Sequence, residues 1–186
     1  MVQIKEKTIE EIEEKLEEMK TPLNKIAYLE SALKENFTFK LKREILSKIA
    51  ELYEFNKMLE KAAKAISNKA GIEVSFRDKI ESYLKAAELY ARLGKINDAE
   101  LMFTRAARVA QEQRENSKVE LAKKNIFLTN AKSLERQGKK GAAAGFYEAL
   151  IKMRLDDMEK QEVKERLIDI YKSLGKFREA KRYMGM

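Results

Sequence analysis

One set of eight positions occurs four times along the chain, the last time with seven of the eight, and this internal repeat constrains the fold more than any other feature of the sequence. The clearest copy consists of Tyr83, Ala86, Ala87, Tyr90, Gly94, Ala99, Phe103 and Ala106. A shift of 44 residues gives Phe127, Asn130, Ala131, Leu134, Gly138, Ala143, Tyr147 and Leu150. A further 37 gives Lys164, Leu167, Ile168, Tyr171, Gly175, Ala180 and Met184. A shift of 37 toward the N-terminus gives Leu46, Ile49, Ala50, Tyr53, Lys57, Ala62, Ile66 and Lys69. Such periods are typical of stacked supersecondary units.

The spacing within each copy predicts two helices joined by a tight turn. The first four positions step by three, one and three residues, so they share one face of a helix. Gly94 follows Tyr90 by four residues, where a left-handed residue ends a helix without the steric cost of a Cβ. The Ala and aromatic positions that follow mark one face of a second helix. The copy at 46–69 is the weakest, because Lys57 replaces the glycine, although Asn56 beside it also tolerates the left-handed conformation.

Capping patterns support ten predicted helices. Three pairs of residues three apart predict reciprocal caps, namely Ser75 with Asp78, Ser117 with Glu120, and Asp156 with Glu159. Thr38 and the Thr21-Pro22 pair predict two further helix starts. The predicted helices lie near 8–20, 22–35, 38–55, 57–69, 76–93, 96–114, 118–137, 140–153, 157–174 and 176–184. The seven extra residues of the 44-residue period should lengthen helices 96–114 and 118–137 by about one turn each.

The first 36 residues differ from the rest, because they lack the Tyr and Gly positions. They carry two runs of apolar residues at helical spacing, which begin at Ile9 and Leu23. We interpret residues 1–36 as an N-terminal capping hairpin and residues 37–186 as the repeats, since repeat arrays need atypical end units. A length of 186 residues suits one domain better than two, so a single domain over 1–186 is expected.

The recurring order of an aromatic residue, a small pair, Tyr, Gly, Ala, an aromatic residue and Ala resembles the tetratricopeptide repeat. Residues 83–106 match that pattern position for position, and the four copies cover residues 46–186. The periods of 37 and 44 exceed the usual 34, and the proline that usually ends the second helix is absent. In their length, the predicted helices are similar to those of the SNAP-type branch of the superfamily. The resemblance implies an all-α, right-handed α-solenoid of antiparallel helical hairpins with about ten helices.

In proteins of this kind the first helices line a concave groove, at positions six and two before the Tyr position and one after it. The resemblance places twelve residues there: Ser47, Glu51, Glu54, Leu84, Glu88, Ala91, Leu128, Lys132, Glu135, Glu165, Asp169 and Lys172. The family's clamp for C-terminal carboxylates uses Lys, Arg and Asn, whereas acids dominate here, so that clamp is expected to be absent. We expect a groove for a basic, partly apolar segment, with Leu84 and Leu128 as apolar contacts. The alternative is that these acids are solvated helix faces.

The net charge of +8 allows two interpretations. Residues 116–186 carry 17 basic and 10 acidic residues, so the C-terminal third is the basic part. A basic surface can contact nucleic acid or an acidic protein, but mixed charges at this density are also typical of ion-pair networks in heat-adapted proteins. The basic residues expected on second helices are Arg105, Arg108, Arg114, Lys176, Arg178, Lys181 and Arg182. The mixed signs favour a solvated surface, and a nucleic-acid-binding α-repeat protein is the alternative function.

Composition excludes several kinds of chemistry. The chain has no Cys and no His, which excludes disulfides, Cys/His zinc sites and Ser-His-Asp catalysis. No convergent acid–base set is evident, so we expect no enzymatic activity, no cofactor and no metal. Gly141 and Gly145 lack the lysine of a phosphate loop and predict close helix packing instead. No apolar stretch could span a membrane and no signal-peptide core is present, so a cytoplasmic location is expected.

These observations predict a scaffold for protein–protein interaction. Packed hairpins would hold a groove in place for a protein or peptide partner. The last predicted helix, 176–184, has no following hairpin to cover Phe177, Tyr183 and Met184. Exposed apolar ends of this kind favour association, so a homo-oligomer formed through the C-terminal helix is a further expectation.

Overall fold

The fold was obtained as a computed structural model, which describes residues 4–112 and 115–185. Within these residues the regular secondary structure consists of ten α-helices, and the predicted all-α class is confirmed. The helices are α1 (Ile9–Glu18), α2 (Pro22–Ala32), α3 (Phe39–Phe55), α4 (Leu59–Ile72), α5 (Phe76–Arg92), α6 (Ile96–Glu112), α7 (Asn116–Arg136), α8 (Lys140–Ile151), α9 (Asp157–Ser173) and α10 (Phe177–Met184).

The helix lengths account for the longer period between the second and third copies. The helix α6 has 17 residues, against 14 in α4. The helix α7 has 21 residues, against 17 in α3, α5 and α9. The seven extra residues are therefore divided between α6 and α7 as predicted, about one turn each.

Most predicted helix caps form, and one does not. The hydroxyls of Thr21, Thr38 and Ser75 each accept a hydrogen bond from a backbone N–H three residues later, so Ser75 and Asp78 form one half of their predicted reciprocal cap. Asp156 forms a complete capping box with Glu159. The prediction for Ser117 is wrong. Helix α7 begins one residue earlier, at Asn116, and its N-cap makes no side-chain hydrogen bond, so Ser117 lies inside the first turn. The local Ser-x-x-Glu pattern is overridden by a helix that starts earlier.

The four predicted turns share one backbone geometry. Gly94, Gly138 and Gly175 have φ of 73°, 73° and 70°, and Lys57 adopts φ 59° at the equivalent position. In each turn the N–H of the following residue donates to the carbonyl at the Tyr position, as from Lys95 to Tyr90 over 2.9 Å. The N–H of the left-handed residue donates to the carbonyl three residues before it. This double hydrogen bond is the Schellman motif, so the recurring sequence positions correspond to recurring backbone structure.

The core runs the length of the chain as one cluster of buried side chains. From α2 onward each helix packs against the next one in sequence, α1 packs against α3, and α5 also contacts α7. Helices α4, α5 and α6 bury mainly alanines, and small residues allow two helix backbones to approach closely. The buried alanines are Ala62, Ala63, Ala65, Ala70, Ala86, Ala87, Ala91, Ala99, Ala106 and Ala110.

Large aromatic rings fill the contact among α6, α7 and α8. Phe127 on α7 lies 5.3 Å from the ring of Phe103 on α6 and 5.3 Å from that of Phe146 on α8, both edge to face. Beside them, a Cβ on Gly145 would lie 2.8 Å from Cδ1 of Ile96, so the missing side chain admits the isoleucine. The prediction of close packing therefore holds at Gly145, whereas a Cβ on Gly141 would meet no atom within 4 Å.

Candidate functional site

A cleft on the predicted groove side lies between α3, α4 and α5 and has a volume of about 510 Å³. Three of the predicted groove residues, Ser47, Glu51 and Glu54, lie together on its α3 wall. They share this wall because they lie on one face of α3 at spacings of four and three residues. The structure thus brings together all three predicted groove residues of the first repeat.

The opposite walls of the cleft come from α4 and α5, and the sequence analysis did not identify their residues. Asp78, Glu81, Ser82 and Lys85 line the cleft from α5. Lys69 and Glu73 line it at the end of α4, together with the buried apolar residue Ile66. Glu81 precedes the predicted groove residue Leu84 by three residues, so extending the predicted face by one helical turn would have found it.

Five carboxylates and two lysines line this cleft, so it is electronegative. Glu54 lies 3.5 Å from the Lys85 ammonium and 3.9 Å from the Arg92 guanidinium. Glu73 lies 3.4 Å from Arg43 and 3.6 Å from Lys69, and its side chain is only 9% exposed. Glu81 also has a basic neighbour, since it accepts a hydrogen bond of 3.0 Å from the Arg77 guanidinium. Because these three acids already have basic neighbours, the carboxylates of Glu51 and Asp78 are the ones best placed to meet a partner's cations.

On α5, the predicted groove residues lie in three different environments. Leu84 is half-buried and packs against the core cluster. Glu88 is half-buried and lies 3.7 Å from Lys85. Ala91 is 1% exposed, so this position belongs to the core and offers no surface to a partner.

On α7, the predicted groove residues make contacts within the protein. Leu128 is half-buried against the core. Lys132 forms an ion pair of 3.2 Å with Glu162 on α9. Glu135 accepts a hydrogen bond of 2.6 Å from the hydroxyl of Tyr147 on α8. Lys132 and Glu135 therefore join neighbouring helices, and a partner would have to compete with these contacts.

On α9, the predicted groove residues Glu165, Asp169 and Lys172 are exposed. Glu165 accepts a hydrogen bond of 2.8 Å from Gln161 and lies in a shallow acidic hollow at the start of the helix. The carboxylates of this hollow are Asp156, Asp157, Glu159, Glu162 and Glu165. The twelve predicted residues are thus spread over the array. Of the six acids among them, Glu51 and Glu54 lie in the α3–α5 cleft and Glu165 lies in the hollow at the start of α9.

Ion pairs join alternate helices on the side of the molecule that carries the predicted groove residues. Glu13 on α1 pairs with Lys48 on α3, and Glu54 on α3 with Lys85 on α5. Lys124 on α7 pairs with Glu159 on α9 over 2.5 Å. Helices α5 and α7 instead contact each other directly. An ion pair or a direct contact therefore links each of the helices α1, α3, α5 and α7 to the next odd-numbered helix.

Three tyrosine hydroxyls donate hydrogen bonds to glutamates on the preceding helix, and these bonds join α2 to α3, α7 to α8 and α8 to α9. The donors are Tyr53, Tyr147 and Tyr171, and their acceptors are Glu30, Glu135 and Glu148. Burial raises the pKa of each tyrosine, and the hydrogen-bonded glutamate raises it further. The tyrosines therefore stay protonated and act as structural donors, as expected of residues in packing positions.

A second cleft, of about 370 Å³, lies between α2, α3 and α4 and also escaped the sequence analysis. Its floor is apolar, with Leu46, Ile49 and Ala65, and its rim includes Lys61 and Lys64. Part of its surface comes from the ring of Tyr53, whose hydroxyl binds Glu30. The two sides of α3 therefore differ in charge, with acids facing one cleft and lysines facing the other.

The basic residues that were expected on second helices lie on exposed surfaces of α6 and around α10. Arg105 and Arg108 are exposed on α6, and Arg105 donates a hydrogen bond of 3.3 Å to the Ser67 hydroxyl. The cations at α10 are also exposed: Lys176, Arg178, Lys181 and Arg182. Arg114 lies outside the described residues. The two groups of cations lie on helices far apart in the chain.

Neither a metal-binding cluster nor a membrane-spanning helix occurs within residues 4–112 and 115–185. No group of three or more Asp or Glu side chains in this part of the chain is arranged to hold a metal ion. None of its helices combines the length and the apolar character that crossing a bilayer requires.

Comparison with known proteins finds similarity to solved structures. No protein-family model matches the sequence, and no curated protein matches it significantly. Among solved structures, the chain is similar to the crystal structure of BtubC (BKLC) from P. vanneervenii. The two share 17% sequence identity, the match covers 94% of this chain and 76% of that chain, and the TM-score is 0.44. Like this chain, that neighbour is helical.

Proposed function

We propose that this protein is a non-catalytic scaffold that binds a basic, partly apolar segment of a protein partner along α3, α5 and α7. The observation that carries the proposal is the 510 Å³ cleft, lined by five carboxylates and two lysines. A basic segment would replace the lost hydration of these acids with charge-assisted hydrogen bonds. Half-buried Leu84 and Leu128 supply the apolar contacts of the proposed groove.

The proposal includes the finer architecture. The ten helices form a right-handed α-solenoid of antiparallel helical hairpins of the tetratricopeptide kind, with residues 1–36 as the capping hairpin. Four Schellman turns at intervals of 37, 44 and 37 residues support this arrangement, as do the ion pairs that join alternate helices.

The mechanism of the proposed scaffold is rigid display. Tyrosine–glutamate hydrogen bonds and inter-helix ion pairs hold the cleft walls before a partner arrives. Only the partner segment then loses conformational freedom on binding, which favours affinity. The excess of carboxylates in the cleft also accelerates encounter with a positively charged segment at low salt.

Peptide binding at two salt concentrations tests this function. A basic, an acidic and a neutral peptide of equal length are titrated against the full chain at ~50 and ~200 mM salt, and the basic peptide should bind most tightly. The double variant Glu51→Lys, Glu81→Lys should lose this preference. A matched variant, Glu14→Lys, Glu17→Lys, makes the same charge change on the exposed face of α1 and should keep it. Tighter binding of the acidic peptide would overturn the proposal.

The exposed cations of α6 and α10 support nucleic-acid binding as a second candidate function. Affinity that depends on six or more phosphate contacts falls by orders of magnitude between ~50 and ~200 mM salt. A single-stranded RNA included in the same titrations should therefore show a much steeper salt dependence than the basic peptide if this function applies. Absence of RNA binding at ~50 mM salt would eliminate the second candidate.

A further inference from the structure

The helix α10 repeats the pattern of α6 at a shift of 81 residues, but its outer face is uncovered. Ile96 corresponds to Phe177, Glu100 to Lys181, and Phe103 to Met184. Phe103 is 2% exposed, whereas Met184 is 53% exposed and Phe177 is 63% exposed. Positions that are buried or half-buried on α6 are therefore exposed on α10, and two of the three carry apolar side chains.

The contacts of α6 show what covers such a face in this molecule. The ring of Phe127 on α7 lies 5.3 Å from that of Phe103. Lys123, one turn before Phe127, forms an ion pair of 2.6 Å with Glu100. Helix α7 thus covers α6 in two ways. Its apolar residue Phe127 contacts Phe103, and its residue Lys123, four positions before Phe127, carries a charge opposite to that of Glu100.

The inner face of α10 is already filled, so only the outer face is available. Ala180 is 1% exposed. Tyr183 stacks on Tyr171 with ring centroids 6.1 Å apart, and its hydroxyl lies 3.3 Å from the Glu148 carboxylate. These contacts anchor α10 on α9 and on α8, and they leave Phe177, Lys181 and Met184 directed away from the packed core.

We propose that the outer face of α10 docks an acidic amphipathic helix of a partner protein, in the way that α7 covers α6. The apolar residues of that helix contact Met184 and Phe177, and a carboxylate one turn away pairs with Lys181. The charge is opposite to that of α7 because Glu100 of α6 is replaced by Lys181 in α10. Exposed Lys176, Arg178 and Arg182 around this face further favour an acidic partner.

A second copy of the chain is a poorer occupant than an acidic partner. Two α10 faces brought together would each present the same cations and would repel. Helix α7 of a second copy would bring Lys123 against Lys181. Helix α1 carries many exposed glutamates, but Ile12 and Leu16 are buried, so it offers charge without an apolar anchor.

Two peptides distinguish the charge requirement of this surface. Both have the sequence of residues 116–136 with Lys118→Glu, Lys124→Glu and Lys132→Glu, which makes them acidic overall. One peptide keeps the native Lys123 and the other also carries Lys123→Glu, and each is fluorescently labelled and titrated against the full chain by anisotropy. The peptide with Lys123→Glu should bind about two- to fivefold more tightly, as expected for one exposed ion pair. In the Lys181→Glu chain the preference should invert. Arg178→Glu, an equal charge change on the same helix, should retain the original preference.

The apolar requirement has its own matched pair of variants. Met184→Ser should weaken both peptides by about tenfold, because it removes the buried contact that they share. Met158→Ser replaces a methionine that is 85% exposed on α9 and should change neither affinity. Far-ultraviolet circular dichroism of every variant verifies that the helices are retained. If Met184→Ser loses helical structure, Met184→Thr is used in its place.

Three results would overturn the proposal. They are the absence of binding by either peptide, equal affinities for the two peptides, and equal effects of Lys181→Glu and Arg178→Glu. Sedimentation provides a further test, since self-association that Met184→Ser abolishes would identify a second copy as the occupant. These outcomes are independent of the α3–α5 cleft, because Glu51→Lys with Glu81→Lys should leave both peptide affinities unchanged.

Discussion

The contacts along α4, α5 and α6 differ in kind from those among α6, α7 and α8. In the first region the buried residues are mostly alanines, and the helix backbones approach closely. In the second region Phe103, Phe127 and Phe146 fill the space between the helices. Both regions occur within one array of helices with the same Schellman turns.

The difference teaches how a repeat protein absorbs an insertion. The seven extra residues lengthen α6 and α7, and the spacing between the helices is then set by rings rather than by methyl groups. An alanine interface depends on close backbone contact and has little room for added volume. An aromatic interface depends on a few large side chains, so removal of one leaves a large cavity. The two regions should therefore respond to opposite kinds of mutation.

Removal of the central ring should have the largest effect. Phe127→Ala deletes a fully buried ring that contacts two others, and should lower the free energy of unfolding by about 3–5 kcal/mol. Urea denaturation followed by circular dichroism measures it. Phe55→Ala removes a ring that is 77% exposed on α3 and should change stability by less than about 1 kcal/mol. Equal losses in the two variants would mean that the aromatic cluster is not the centre of this region.

Added volume should be the more damaging change at the alanine interface. Ala86 is fully buried on α5, and Ala86→Leu should lower the free energy of unfolding by about 1–3 kcal/mol because the helices must separate. Ala142→Leu makes the same change at an exposed position of α8, where an effect within about 0.5 kcal/mol is expected. Stabilisation by Ala86→Leu would show that the interface contains unfilled space.

The turn that joins α5 to α6 can be tested without disturbing either interface. Gly94 has φ 73° and a Cβ there would meet no atom within 4 Å, so Gly94→Val acts through backbone strain alone. A loss of about 1–2 kcal/mol is expected. Gly71 lies in α4 with equally open surroundings but without the left-handed conformation, so Gly71→Val should cause no loss. Thermal melting of the two variants separates strain from loss of flexibility.

The smallest effect is a pH dependence at the alanine-rich region. Lys95 and Lys64 bind Glu60 over 2.7 and 2.9 Å and lower the pKa of its carboxyl from 4.5 to about 2. Because the folded state has the lower pKa, this stabilisation is present above pH 4.5 and is lost as the pH falls toward 2. Acid denaturation should be less steep in this window for Glu60→Gln than for the wild type.

The control for this experiment is Glu17→Gln, which makes the same neutralisation on the exposed face of α1. Its denaturation profile between pH 4.5 and 2 should follow that of the wild type. If the profile of Glu60→Gln ran parallel to that of the wild type, Lys64 and Lys95 would not form ion pairs with the Glu60 carboxylate in solution.

Much of the helical architecture was predictable because its signals are local. Tyr-to-Gly spacing identified the turns, and Thr38, Ser75 and Asp156 identified helix starts, since a cap involves only neighbouring residues. Lys57 shows the strength of the pattern, because it adopts the left-handed conformation at the glycine position despite its side chain. Ser117 failed because a local pattern cannot reveal that the helix begins before it.

The groove was less predictable, because an offset from the Tyr position gives a helix face but not its neighbours. Ser47, Glu51 and Glu54 lie in one cleft as that rule predicts. Ala91 is buried by tertiary packing, and Glu135 is engaged by Tyr147, a contact between helices. Lys85 was missed because its importance comes from Glu54 on another helix.

The hydrogen bonds from tyrosines to glutamates allow the intrinsic fluorescence of this protein to report on its helix–helix contacts. The chain has seven tyrosines and no tryptophan, so tyrosine dominates its intrinsic fluorescence. A carboxylate that accepts a hydrogen bond from the phenolic hydroxyl quenches tyrosine emission, so emission should rise when that bond opens. Tyr53, Tyr147 and Tyr171 report on the α2–α3, α7–α8 and α8–α9 contacts respectively. Single Tyr→Phe variants would therefore reveal the order in which the helices separate, without any added label.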